Sequence, residues 1–359
     1  MKYTMTESAT VKMPTILVEE FVKRTRLSWL RVAVAVGLVL ILFLVGVAFL
    51  AGVLTAPFDA GFWRAGLLFP AIIVYILLTL PVLQRLRNRA IASFRPLAPM
   101  DDEGFEQLLA QAPIFARRLE WLALCGGIVG GLLLWRPWEY AGLSRIWPSL
   151  GARPGWLVLY MLIVGGLWGG LQGWTVYSSL SGMRLFTGLQ HHPLDINIFD
   201  LRPLQPIGRW SLGVAVIFIG GSALSLLFVP QLTLNVETIV LYGILVLTPV
   251  LVFFLNMLST RQTIVAAKRR KLDMVRDHLV TASLSLDEQV AQDQLEHAEV
   301  LLDSFAAWVT YEQRVEEVPE WPYTADIRRN LVLSTLLPLA VWLAREVVLD
   351  LLKQVVSSP

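Results

Sequence analysis

The chain is poor in the residues on which most catalytic and redox chemistry depends. Its 359 residues include one cysteine, Cys125, and four histidines. A lone thiol inside an apolar run excludes a disulfide framework, a CxxC redox pair and a cysteine metal cluster; it reads as a small packing residue. Charge is scarce as well. Asp, Glu, Lys and Arg make up 16% of the chain, below the share of ordinary soluble domains. The net charge is +2 and no Lys/Arg stripe interleaves with aromatics, so no nucleic-acid partner is expected. There is no HExxH, Walker A or GxSxG, and no Cys/His arrangement suited to a nucleophile. The reading is that of a protein that is not an enzyme and carries no cofactor.

What the chain has in excess is apolar sequence. It is 55% hydrophobic, with a mean hydropathy of +0.61, which places it among integral membrane proteins. The first apolar run begins after about thirty polar residues and is about 25 residues long, beyond a signal-peptide h-region. Six spans follow at 31–57, 65–84, 119–135, 156–185, 211–229 and 238–258. In the third, Gly126, Gly127, Gly130 and Gly131 form two overlapping small-xxx-small pairs; the fourth repeats the device with Gly165, Gly166, Gly169, Gly170 and Gly173. Such faces let helix backbones approach closely in lipid. Pro70 and Pro81 lie in the second span, where neighbouring helices can satisfy freed carbonyls. The fold class is all-α, a polytopic membrane helical bundle.

Lys and Arg crowd the N-terminal segment 1–30, the loops 85–118 and 184–210, and the flank 261–271. The turns at 58–64 and 230–237 carry almost none. The positive-inside rule puts the first group in the cytoplasm. The 31–258 region is then a six-span membrane domain with cytoplasmic loops, and 259–329 is a cytoplasmic helical hairpin. A seventh span at 330–353, in the final unit 330–359, places the C-terminus outside a cell membrane.

The hairpin reading rests on pattern. Val265, Leu272, Val275, Leu279 and Ala282 recur at three- and four-residue steps, so the sixth span is expected to run on as one helix. Ser285-Leu-Asp-Glu288 reads as a capping box that starts a second helix. The second helix carries Asp287, Asp293, Glu296, Glu299 and Asp303 opposite a basic first helix. A short helix is also expected at 101–112, with Asp101, Asp102 and Glu103 in its first turn. Val318-Pro-Glu-Trp-Pro-Tyr323 breaks the second hairpin helix before the last span, with Trp321 and Tyr323 as interface anchors.

The last segment is where candidate functional residues concentrate. Asn330, Ser334, Trp342, Arg345, Glu346 and Asp350 interrupt a run that is otherwise lipid-like, and ionisable residues at membrane depth are functional candidates by default. A face of this kind lines a pore shared by several subunits, with Arg345, Glu346 and Asp350 as a charged vestibule. The bland alternative is an amphipathic end lying at the headgroups, which keeps the same charges wet. Lys268, Arg269, Arg270 and Lys271 are candidate contacts for anionic lipid or a plain topology anchor. His191 and His192 with Asp195, Asn197 and Asp200 make a weak metal candidate, because adjacent side chains diverge and no second cluster completes a shell, so no metal is expected. No buried carboxylate or histidine is expected in spans 1–6. Their polar candidates are Gln172, Thr248 and Asn256, which ranks a small-solute transporter third.

HPLDINIFDLRPLQP at 192–206 and EVPEWPYTADIRRN at 317–330, followed by STLLPLA, resemble a group of uncharacterised prokaryotic multi-pass membrane proteins, which implies no activity. In layout alone the chain is similar to the insect chemoreceptor type of seven-span ion channel. That likeness implies a cytoplasmic N-terminus, a cytoplasmic helical anchor and a last span lining a homo-oligomeric pore. It transfers no residue, since no motif is shared. A homo-oligomeric ion channel is the first functional expectation. A membrane sensor or assembly scaffold, with a cytoplasmic protein partner at 262–317, is the second. In both, the lipid bilayer is the first partner.

Overall fold

The computed structural model describes residues 20, 22, 24–25, 27–55, 60–98, 101–111, 117–135, 154–190, 197–228, 236–291, 295–321 and 324–357. Among the described residues the fold is all-helical. In chain order the helices are α1 (Trp29–Leu50), α2 (Ala60–Phe94), α3 (Asp102–Gln111), α4 (Arg117–Trp135), α5 (Pro154–Gln190), α6 (Gln205–Phe228), α7 (Val236–Ala291), α8 (Leu295–Glu316) and α9 (Ala325–Ser357). Six of them, α1, α2, α5, α6, α7 and α9, are long and apolar enough to cross a membrane. This fits a multi-pass membrane protein. The third expected span, α4, is 19 residues long, opens with Arg117, Arg118 and Glu120, and is not among the six; Glu120 is buried, which corrects the expectation that spans 1–6 hold no buried carboxylate.

The sequence underestimates helix length. Pro70 and Pro81 lie inside α2, which continues past the expected stop at the arginines to Phe94. Likewise α5 runs to Gln190, and α6 begins at Gln205 after a 3-10 turn at Arg202–Leu204. The expected loops 85–118 and 184–210 are therefore largely helix where described. Helix α3 matches its expected place, and the Asp101 side chain accepts a hydrogen bond from the Gly104 amide at its start.

Packing follows from chemistry that each helix cannot satisfy alone. Leu44 of α1, Phe69 and Ile73 of α2, and Tyr160 and Trp174 of α5 form one buried core. The Tyr160 phenol is buried, so it needs a partner; it donates to the Gly66 carbonyl of α2 at 2.7 Å. Tyr75 of α2 in the same way donates to the Ile217 carbonyl of α6 at 2.9 Å. Ile91, Phe94, Phe105, Ile207 and Trp210 build a second core from α2, α3 and α6.

Helices α4 and α5 pack backbone to backbone. A Cβ at Gly169 would lie 2.5 Å from the Gly127 carbonyl oxygen, and one at Gly173 would lie 2.7 Å from the Gly127 Cα. Of the glycines expected to form a close seam, Gly127, Gly131, Gly169 and Gly173 do so, whereas Gly126, Gly130 and Gly165 face open space. Outward-facing Leu38, Leu42, Val129, Leu247 and Leu339 are exposed, as lipid-facing positions are.

The sixth span continues as foreseen: α7 is one helix of 56 residues. The capping box is a correction. Ser285 lies within α7, where its hydroxyl donates to the Thr281 carbonyl at 3.0 Å, and the next helix begins only at Leu295. A serine followed three positions on by glutamate caps a helix only where the chain turns, and here the helical ladder outcompetes the cap.

Candidate functional site

Helix α9 buries one stripe, Ile327, Leu331, Ser334 and Pro338 at three- and four-residue steps and Arg345 two turns further on. That stripe packs on α6, with Ile327 and Leu331 joining Ala215, Phe253 and Met257 in a core shared with α7. Arg345 is 9% exposed and its Nη1 donates to the Leu226 carbonyl at 3.3 Å. Leu226 lies in the last turn of α6, where carbonyls lack helical partners and the dipole favours a cation. Ser334 donates to the Leu331 carbonyl of its own helix at 2.8 Å. Trp342 is half-buried, with its indole nitrogen enclosed. Asn330 is exposed. The helix continues through Glu346 and Asp350, whose side chains lie outside the described residues. The candidate pore face is thus split: Ser334 and Arg345 are turned to α6 of the same chain, whereas Asn330 points outward.

Helices α7 and α8 run side by side in antiparallel order. Arg276 of α7 pairs with Glu312 at 2.8 Å and with Glu316 at 3.4 Å. Eight residues earlier, the Lys268 ammonium donates to the Glu316 and Val318 carbonyls at 2.6 and 3.1 Å, closing the C-terminus of α8. Still nearer the membrane stretch, Arg261 pairs with Glu320 at 2.7 Å and lies over the Trp321 ring, 5.0 Å from its centre. The Arg261 guanidinium, through its hydrogen bond, holds the Glu320 carboxyl below its ordinary value. His278 stacks on Trp308 with ring centres 4.7 Å apart. The basic run is therefore divided. Lys268 is engaged within the chain, while Arg269, Arg270 and Lys271 stay exposed. Trp321, read as an interface anchor, packs instead beside the core shared by α6, α7 and α9; Tyr323 lies outside the described residues.

The segment before α6 meets this two-helix arm. Ile198 is buried with Ala267, Val315 and Val318, and the Phe199 ring lies 5.6 Å from that of Tyr311. Asp200 pairs with Arg202, whose hydrogen bonds hold its carboxyl below the usual range, and Asn197 accepts from the Phe199 amide. His191, His192 and Asp195 lie outside the described residues. Among the described residues no group of three His, Cys, Asp or Glu could hold a metal. Gln172 is half-buried and Thr248 exposed, and the Asn256 side chain lies outside the described residues. Cys125 is exposed.

Sequence reasoning missed a polar cleft between α2, α5 and α6. Gln84 and Arg87 of α2 face Trp174, Thr175 and Ser179 of α5, and Trp210 of α6 forms the third wall. The Trp174 ring is 1% exposed, and neither its indole N–H nor the Gln84 side-chain N–H makes a hydrogen bond within the protein. Arg87 is 6% exposed. Thr175 and Ser179 donate to the carbonyls of Leu171 and Thr175, one turn back. Gly182 seats the Trp210 ring: a Cβ there would lie 2.6 Å from the ring carbon Cζ2. No single sequence window signals this cleft, because its nitrogens lie 90 residues apart (84 and 174). The available signal was polar residues one turn inside the arginine-rich ends of the second and fourth spans. No protein family, curated protein or solved structure matches this chain.

Proposed function

We propose that the protein is a membrane-embedded sensor or assembly scaffold that works through the α7–α8 arm on the cytoplasmic side. One observation carries this reading. Helix α7 holds both an apolar stretch fit to cross a membrane and the whole basic strand of the arm, with no break in 56 residues. At about 1.5 Å per residue the helix is about 84 Å long, against a bilayer core of about 30 Å. A rod of that length carries a tilt or rotation of its membrane part directly to the arm. The Arg261–Glu320 pair and the Trp321 contact tie the base of the rod to the entry of α9, so two spans report on the same joint. Ile198 and Phe199 tie the α5–α6 connection to the same arm.

The test places a photo-crosslinking residue at Val280 or Leu302, both exposed on the arm, in native membranes. The reading expects an adduct to one defined protein that is lost in Arg276→Glu and is absent when the probe sits at Leu339. Adducts only to lipid or to the chain itself would overturn it.

A shared pore is a second reading, favoured by the edge position of α9. Its membrane stretch is the least enclosed of the six, 22% buried, and offers Leu333, Leu336, Leu337 and Leu343 to a neighbour. Such a pore would be bordered by the outward face around Asn330 rather than by Arg345. An ion preference that changes in Asn330→Asp and stays the same in Arg345→Met, whatever the current amplitude, is its expected signature in a reconstituted bilayer; the opposite pattern contradicts it.

A further inference from the structure

We infer that a cavity between α1, α2 and α6 holds one acyl chain of a membrane phospholipid. Gly37 and Ile41 of α1, Leu67, Ala71 and Leu78 of α2, and Leu224 of α6 line it, and no charged residue does so among the described residues. Tyr75 also reaches the wall, but its hydroxyl already donates to the Ile217 carbonyl at 2.9 Å. The slot exists because small residues stand where the helices would otherwise close. A Cβ at Gly37 would lie 2.9 Å from Val74 Cγ2, so α1 rests on α2 at that level, and a Cβ at Gly221 would lie 3.5 Å from the Tyr75 ring, so α6 rests there too. Between these props Ala71 carries too little side chain to fill the space. The volume is about 450 Å³. An apolar cavity of about 150 Å³ already stays dry and takes up a small hydrocarbon, since walls without neighbours forfeit dispersion contacts.

Position and shape select the occupant. All three helices are among those apolar enough to cross a membrane. Ile41 and Leu78 form the lips of the cavity and are exposed, and Leu38, Leu42 and Val45 continue the same outward surface along α1. Hydrocarbon, not water, is what reaches a mouth at that depth. Along α2 the slot runs from Leu67 to Leu78, which is about 16 Å at about 1.5 Å per residue, roughly half of a bilayer core. Volume over length gives a channel about 6 Å across, whereas a helix with its side chains is about 10–12 Å across. A helix of a second copy is therefore too wide, and a single extended chain fits. A ligand that needs orienting by hydrogen bonds would find none offered by this wall. The phospholipid headgroup stays outside the slot, at the bilayer surface. The site stands whether or not the α7–α8 arm has a partner.

The test uses the full chain in nanodiscs of phosphatidylcholine that carries a photoreactive diazirine in the middle of one acyl chain. After irradiation the labelled residues are mapped by peptide mass spectrometry. In wild type, Leu67 and Leu224, half-buried on the cavity wall, are expected to label at least as strongly as Leu42 on the open lipid face. Ile73, buried in the core beside them, is the unlabelled reference. Ala71→Leu fills the slot from α2 and is expected to lower the labelling of Leu67 and Leu224 about tenfold, with Leu42 unchanged. Leu224→Phe fills it from the opposite wall and is expected to do the same to Leu67. Wild-type labelling of Leu67 and Leu224 no stronger than that of Ile73 refutes the site without any variant. Labelling that survives both fillings refutes it as well. In a parallel arm a photo-crosslinking residue replaces Leu78 at the mouth and is expected to join to phospholipid; a chain-to-chain adduct there would put a second copy in the groove and overturn the proposal.

Discussion

A single methyl group distinguishes the two faces of α4. Gly127 and Gly131 meet the backbone of α5, whereas a Cβ at Gly126 or Gly130 finds nothing within 4 Å. Gly169→Ala is therefore expected to lower thermal stability in detergent by about 1–3 kcal/mol, the usual effect of overpacking. Gly126→Ala is expected to leave stability unchanged or raise it by about 0.5–1 kcal/mol through helix propensity. Equal effects of the two would contradict the seam. The i, i+4 spacing made such a seam legible in the sequence, but two overlapping pairs gave no choice of face. Arg345 shows the reverse limit. Its sequence context allowed a vestibule or a wet interface and gave no sign of the contact the side chain makes, because its carbonyl partner at Leu226 lies 119 residues away. Arg345→Met is expected to lose about 1–3 kcal/mol and loosen α9 from α6, seen as faster amide exchange in both.

The arm is held by exposed ion pairs, and such pairs contribute little individually. Arg276 is 56% exposed, so Arg276→Glu is expected to leave global unfolding nearly unmoved. Its mark is local: amide exchange in α8 rises while α5 and α6 are unchanged. At the joint, Arg261 lowers the Glu320 pKa, so the contribution of the pair is present above the ordinary value of 4.5 and is lost as pH falls through the lower folded value. Arg261→Gln is expected to move the carboxyl titration of Glu320, followed by 13C NMR, up toward 4.5; an unmoved midpoint contradicts the pair. Three- and four-residue periodicity made the continuous α7 legible. The end of that helix was not, since Ser285 and Glu288 satisfy a local rule that the chain never needed. The polar cleft between α2, α5 and α6 escaped for a different reason: no local period brings Gln84, Trp174 and Trp210 together.

Together the helices form a bundle of α1, α2, α5, α6 and α7, with α4 sealed to α5 by glycine, α9 on the edge and the α7–α8 arm tied to the bundle by Ile198 and Phe199. In the proposed reading α4 is a seventh crossing beside the six helices apolar enough to span, and the arm then lies on the side of the N-terminus with the residues beyond α9 on the other. The whole account depends on α7 leaving the membrane on that basic side. The direct measurement is substituted-cysteine labelling in intact cells and in inverted vesicles, in a Cys125→Ala background. Arg270→Cys and Asp303→Cys are exposed positions on the arm, and Leu54→Cys is exposed at the far end of α1. The account predicts that a membrane-impermeant maleimide labels positions 270 and 303 only in inverted vesicles and position 54 only in intact cells. Labelling of 270 and 303 from outside intact cells, or the same sidedness for all three, would contradict it.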